Sequence, residues 1–104
     1  MPSPVPPTLC VSYKVRLKLS SKAPPVSEND ICECFQNRTR TPIRDTRERH
    51  ETDPPTMWFI SENDYGQRLK VCFIEDGSNI HIKSAFTPNA DEERIYAAKS
   101  KELG

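Results

Sequence analysis

Three apolar runs separated by two short polar turns constrain this chain more than any other feature. Met57–Ser61 stops at Glu62-Asn63-Asp64-Tyr65-Gly66, Leu69–Ile74 stops at Asp76-Gly77-Ser78-Asn79, and Ile80–Phe86 completes the set. Short runs rich in β-branched and aromatic residues, bounded by Gly, Asn and Asp, read as strands. Connections this short leave only an antiparallel meander. Side chains alternate along a strand, so Arg68 and Lys70 share one face while Leu69, Val71 and Phe73 take the other. In the third run Ile80, Ile82 and Ser84 oppose His81, Lys83 and Ala85. Trp58 and Phe59 are neighbours and point to opposite faces, which predicts one in the core and the other beneath a helix or against a partner.

Helix signals flank the meander. Ser27 is an N-cap, Glu28 and Asp30 suit the first turn, and Ile31, Cys34 and Phe35 form an apolar stripe that ends near Asn37. Pro88-Asn89 closes the third strand, and Asn89 or Asp91 caps a last helix through about Lys101. Over 11–22 two readings stand side by side. Val11, Tyr13, Val15, Leu17 and Leu19 alternate with polar residues as in a strand, whereas Val15, Leu19 and Lys22 have helical spacing. Pro24-Pro25 ends either one. Pro2, Pro4, Pro6 and Pro7 exclude a helix at the start, so residues 1–10 read as a disordered proline-rich tail and 11–104 as a single domain. The predicted class is α+β: a small antiparallel sheet, the three-strand meander with room for further strands, packed against two or three helices. With 35% hydrophobic and 29% charged residues, a small core under one helical layer is expected.

The sequence shows neither a signal-peptide pattern nor an apolar stretch approaching the ~20 residues of a membrane span, which points to the cytoplasm. Cys10, Cys32, Cys34 and Cys72 fit no zinc spacing, and Cys34 belongs to the apolar stripe as a buried thiol. We therefore expect neither a metal site nor a cofactor.

Charge is the functional signal. The formal net charge is zero, yet Arg38, Arg40, Arg44, Arg47 and Arg49 lie close together and are followed by His50. They belong to a long polar segment, Arg38–Thr56, broken by Pro42, Pro54 and Pro55 and extended only around Ile43. A connection of that length suggests function or mobility. A basic face suits an anionic substrate, with RNA the natural case. Cleavage through the 2′-hydroxyl needs a base, an acid and cations around the phosphorane. His50, with a side-chain pKa near neutrality, fits proton transfer, with Arg47 and Arg68 stabilising the phosphorane. Lys70, His81 and Lys83 fit contacts to the RNA backbone. Each has a plainer explanation. His50 suits a solvated loop, the strand cations suit the wet side of a half-buried sheet, and Asp45 and Glu48 could neutralise the neighbouring arginines. Tyr96 suits core packing.

Several segments carry a family resemblance. They are DTRERHETDPPTMWFI at Asp45–Ile60, RLKVCFI at Arg68–Ile74, IHIKSAFTPN at Ile80–Asn89 and ERIY at Glu93–Tyr96, with VSENDICECFQNR upstream at Val26–Arg38. Together they resemble a family of small bacterial proteins often labelled ADP-ribosyl-(dinitrogen reductase) hydrolase. In architecture that family looks like the BrnT-type toxins of the RelE/ParE superfamily, small ribosome-linked or free ribonucleases neutralised by an antitoxin. The resemblance implies a metal-independent ribonuclease with RNA and an antitoxin protein as partners; a non-catalytic protein-binding module of the same fold is the alternative. Hydrolases of the named reaction are larger, all-helical and hold magnesium with several carboxylates. Here the acids are scattered among bases. The proline-rich opening departs from the family pattern, whose members begin close to the first structured element.

Overall fold

The computed structural model describes residues 8–22, 25–46 and 54–103. These form β1 (Thr8–Cys10), α1 (Tyr13–Ser20), α2 (Glu28–Gln36), β2 (Ile43–Arg44), β3 (Thr56–Glu62), β4 (Arg68–Asp76), β5 (Asn79–Phe86) and α3 (Ala90–Lys99). The strands make one sheet in the order β1-β5-β4-β3-β2. The fold is α+β, and the meander β3-β4-β5 is its centre. All neighbouring strands are antiparallel except β1, which runs parallel to β5 and makes the sheet mixed.

Local chemistry fixes the turns and caps. Gly77 takes a φ of 60° in the two-residue link between the paired Asp76 and Asn79, where a hairpin needs a positive φ. The β3–β4 turn is organised by buried Asn63, whose Oδ1 accepts hydrogen bonds from the Tyr65 and Gln67 amides. Its amide group donates to Asp30 and so ties the turn to α2. Capping boxes start two helices: Ser27 with Asp30 opens α2, and Asn89 with Glu92 opens α3.

One expectation is corrected at the N-terminal end and one open choice is decided. Thr8–Cys10 falls within the expected tail but forms β1, with Leu9 opposite Ile80 and packed against the core. The chain after Pro7 regains its backbone donors, and the edge of β5 supplies acceptors. Residues 13–20 are helical. Ser12 accepts a hydrogen bond from the Val15 amide as N-cap, and Val15 and Leu19 turn inward one helical turn apart. Tyr13 and Leu17, the other members of the apolar alternation, stand 75% and 52% exposed. A run of alternate apolar residues contains i,i+4 pairs, so the two periods coincide on Val15 and Leu19, and the cap decides between them.

The sheet is buried on both faces, so the expectation of one helical layer is also corrected. On one face Phe59, Leu69, Val71 and Phe73 pack beneath α2, where Phe35 meets Phe59 edge-on at 4.7 Å and Phe73 at 5.4 Å. Cys34 lies in this layer. Its thiol is pushed up to about 12, first by burial and then by the charges of Asp30, Glu33 and Glu62, and stays protonated at neutral pH. On the other face Trp58, Ile60 and Cys72 are buried, and Tyr96 of α3 sits 5.7 Å from the Trp58 ring. Trp58 and Phe59 are both core residues, one for each layer. Each of Trp58→Ala and Phe59→Ala should therefore cost ~3–5 kcal/mol in urea unfolding. A loss below ~1 kcal/mol at Trp58 would show that α3 does not seal that face.

Candidate nucleic-acid interface

Cross-strand register arranges the α3 face in rows. Ile60, Lys70 and Phe86 form one row, Trp58, Cys72 and Ser84 the next, and Thr56, Ile74, His81 and Cys10 the third. Arg68 lies beyond the first, opposite Glu62. The register shifts between Cys72 and Phe73, which pair with Ser84 and Ile82, leaving Lys83 as the extra residue of a β-bulge.

The helix α3 occupies the Arg68–Lys70 end and uses those cations. Lys70 is 4% exposed; its ammonium donates to Glu92 at 2.6 Å and lies over the rings of Trp58 at 4.4 Å and Phe86 at 5.3 Å. Arg68 forks onto Glu93, with Nε at 2.7 Å and Nη2 at 2.6 Å from the carboxylate, and reaches Glu62 at 3.3 Å. That hydrogen-bonded pairing raises Arg68 above its ordinary pKa and lowers Glu93 below the usual carboxylate value. The two pairs differ in weight. Both side chains of the Arg68–Glu93 pair are more than a third exposed, so solvent screening leaves it ~0–1 kcal/mol. The Lys70–Glu92 pair is enclosed, and breaking an enclosed pair is costly.

These observations correct the expectation that Lys70 lines a wet phosphate-binding face. Arg68 and Lys70 do share a face, and α3 covers Lys70 while Arg68 stays exposed and paired with Glu93 and Glu62. Arg68 is six residues along β4 from Ile74, ~20 Å from the His81 row. The expected continuity with His81 and Lys83 is broken by the intervening Trp58–Cys72–Ser84 row. Part of the arginine cluster is structural too. Arg38 stacks over Phe35 and Phe59 and donates to the Phe35 carbonyl. Arg40 donates to the Ala97 and Ser100 carbonyls and the Ser100 hydroxyl, answering the C-terminal end of α3. The Tyr96 hydroxyl donates to the Arg40 carbonyl, a packing role rather than a reactive one.

His81 and Lys83 are exposed at the opposite end of the face. Arg47 and His50 lie outside the described residues. In sequence they lie between β2 and β3, and Thr56 at the start of β3 stands in the same cross-strand row as Ile74 and His81. Ile43, Arg44, Asp45, Lys70 and Glu92 help line a cleft of about 320 Å³. Among the described residues no cluster of three or more His, Cys, Asp or Glu side chains is suited to a metal ion, and no helix is long and apolar enough to cross a membrane.

A strand reading of 11–19 hides further cations. As a helix, α1 places Lys14 and Lys18 one turn apart and exposed, with Lys22 following at the same spacing. The legible signal was Ser12 directly before the Val15/Leu19 pair. No family model, curated protein or solved structure matches this chain.

The contrast between enclosed and exposed lysines is measurable. Lys70→Ala should lower stability by ~3 kcal/mol or more through loss of the enclosed pair with Glu92, whereas Lys83→Ala should stay within ~0.5 kcal/mol. Equal, small effects would return Lys70 to the solvent. Glu93 adds a pH term. Its pKa is depressed in the folded state, so its contribution is present above the ordinary glutamate range and lost as pH falls through the lowered value. Glu93→Gln should remove that part of the acid sensitivity.

Proposed function

We propose that this chain acts on RNA as a metal-independent ribonuclease of the toxin type, working in the cytoplasm and held in check by an antitoxin protein. The observation that carries the reading is the shared row of Thr56, Ile74 and His81. It sets an exposed imidazole, beside the exposed ammonium of Lys83, two strands from Thr56, which follows His50 by six residues in sequence. Neighbouring strands are ~4.8 Å apart, so two strand spacings separate Thr56 from His81. His50 takes the proton-transfer role, Arg47 steadies the phosphorane, and His81 and Lys83 hold the flanking backbone. Arg68 and Lys70 belong to the docking of α3.

A protein-binding module is the second reading. It is favoured by an apolar groove of about 460 Å³ beside β1, where Leu9, Phe35, Phe73 and Ile80 form much of the lining. Cleavage separates the two. Purified protein should cut single-stranded RNA in EDTA and leave 2′,3′-cyclic phosphate ends. His50→Ala should slow the reaction by roughly two to four orders of magnitude with RNA affinity little changed. An intact protein that leaves RNA uncut would favour the binding module, and cleavage abolished by EDTA would overturn the mechanism.

A further inference from the structure

The lysines of α1 belong to one surface with those of β5. Continuing the parallel register from Cys10 opposite His81 brings Val11 and Ser12 abreast of Ile82 and Lys83, and α1 begins at the next residue. The helix then packs along β5. Its three stripes have separate roles. Val15 and Leu19 face the core. Arg16 reaches the other way, to Glu28 of α2 at 2.5 Å. Lys14 and Lys18 lie one turn apart on the remaining flank, and Lys22, just past the helix end, rests over the Phe86 ring of β5 at 5.4 Å. This flank therefore lies on the sheet face that also carries His81. Among the described residues no acid pairs with Lys14, Lys18, Lys22 or Lys83, and α1 itself contains none. Glu28 is engaged by Arg16, and Glu92 and Glu93 by Lys70 and Arg68, while Glu75 and Asp76 stand exposed at the β4–β5 turn.

We infer that the lysine flank of α1 is a track for the backbone of single-stranded RNA, leading to the His81–Lys83 end of β5, with Tyr13 as a base-stacking platform at its head. The inference rests on the RNA reading above and names the surface that reading lacks. From Lys14 to Lys18 the helix rises ~6 Å, about two stacked nucleotides at ~3.4 Å each, and Lys22 extends the row just past the helix end. Tyr13 is 75% exposed next to Lys14, a combination of cation and open aromatic face that suits unpaired bases. An acidic protein would answer the lysines but has no special use for the tyrosine.

The test is binding of a 2′-O-methyl oligouridylate, which lacks the attacking hydroxyl, to the full chain at several salt concentrations. Each backbone contact to a single strand contributes about 0.7 to the slope of log affinity against log salt. The triple variant Lys14→Gln, Lys18→Gln, Lys22→Gln should therefore flatten the slope by ~2 at an unchanged thermal midpoint. The double variant Lys14→Gln, Lys18→Gln keeps the Lys22–Phe86 contact and should flatten it by ~1.4 should the triple variant fold poorly. Tyr13→Ala should weaken binding roughly tenfold with the slope preserved. A steep slope in the parent that survives the lysine changes would overturn the track and leave the RNA reading standing. A parent that does not bind, or binds without salt dependence, would overturn the RNA reading itself. Displacement of the probe by poly-L-glutamate at equal charge concentration, with Tyr13→Ala silent, would assign the surface to an acidic protein and overturn the inference.

Discussion

A lysine held between two aromatic rings and a carboxylate decides how one face of this protein is built. Lys70 stands where a sheet residue facing solvent would ordinarily be, yet Trp58, Phe86 and Glu92 enclose it. Glu92 also completes the capping box that starts α3, through its contacts with Asn89. One carboxylate thus begins the helix and anchors it to the sheet. The rest of α3 is poorly suited to dock by burial, since Tyr96 is its buried residue and Ile95 remains 40% exposed. Its position depends on polar contacts: Lys70 and Arg68 at its beginning, Arg40 at its end. A buried pair is a weak source of net stability but a strong geometric constraint, because either partner alone is costly.

That constraint sorts the charges of a neutral chain. The acids of α3 neutralise Arg68 and Lys70 at one end of the sheet face, Glu28 neutralises Arg16, and Arg38 and Arg40 are used internally. The cations left exposed without acid partners include Lys14, Lys18 and Lys83, with His81 beside them, gathered where α1 meets β5. A zero net charge therefore coexists with a basic strip, and local potential governs the approach of an anionic ligand.

The meander, the helix starts at Ser27 and near Asn89, and the short extended piece at Ile43 were legible because their signals are local: turn residues, cap residues and periodicity. The cover over Lys70 was not. A strand that alternates charged and apolar residues has the same pattern whether its polar face meets water or a helix, and Glu92 is twenty-two residues away. The lysine flank was lost for a different reason. Alternation over 11–19 satisfies two periods at once, and only the Ser12 cap separates them. β1 was hidden by its proline-rich neighbours, although Thr8–Cys10 contains no proline.

The central claim is that the RNA-facing surface is the α1–β5 strip and not the cleft beneath α3. The most direct measurement is a residue-resolved amide NMR titration of the full chain with a short single-stranded 2′-O-methyl RNA at low salt. The account predicts shifts concentrated at Tyr13, Lys14, Lys18, Lys22, His81 and Lys83, with Arg68, Lys70, Glu92 and Glu93 unmoved. Shifts centred on Arg68 and α3, with the α1 lysines silent, would contradict it.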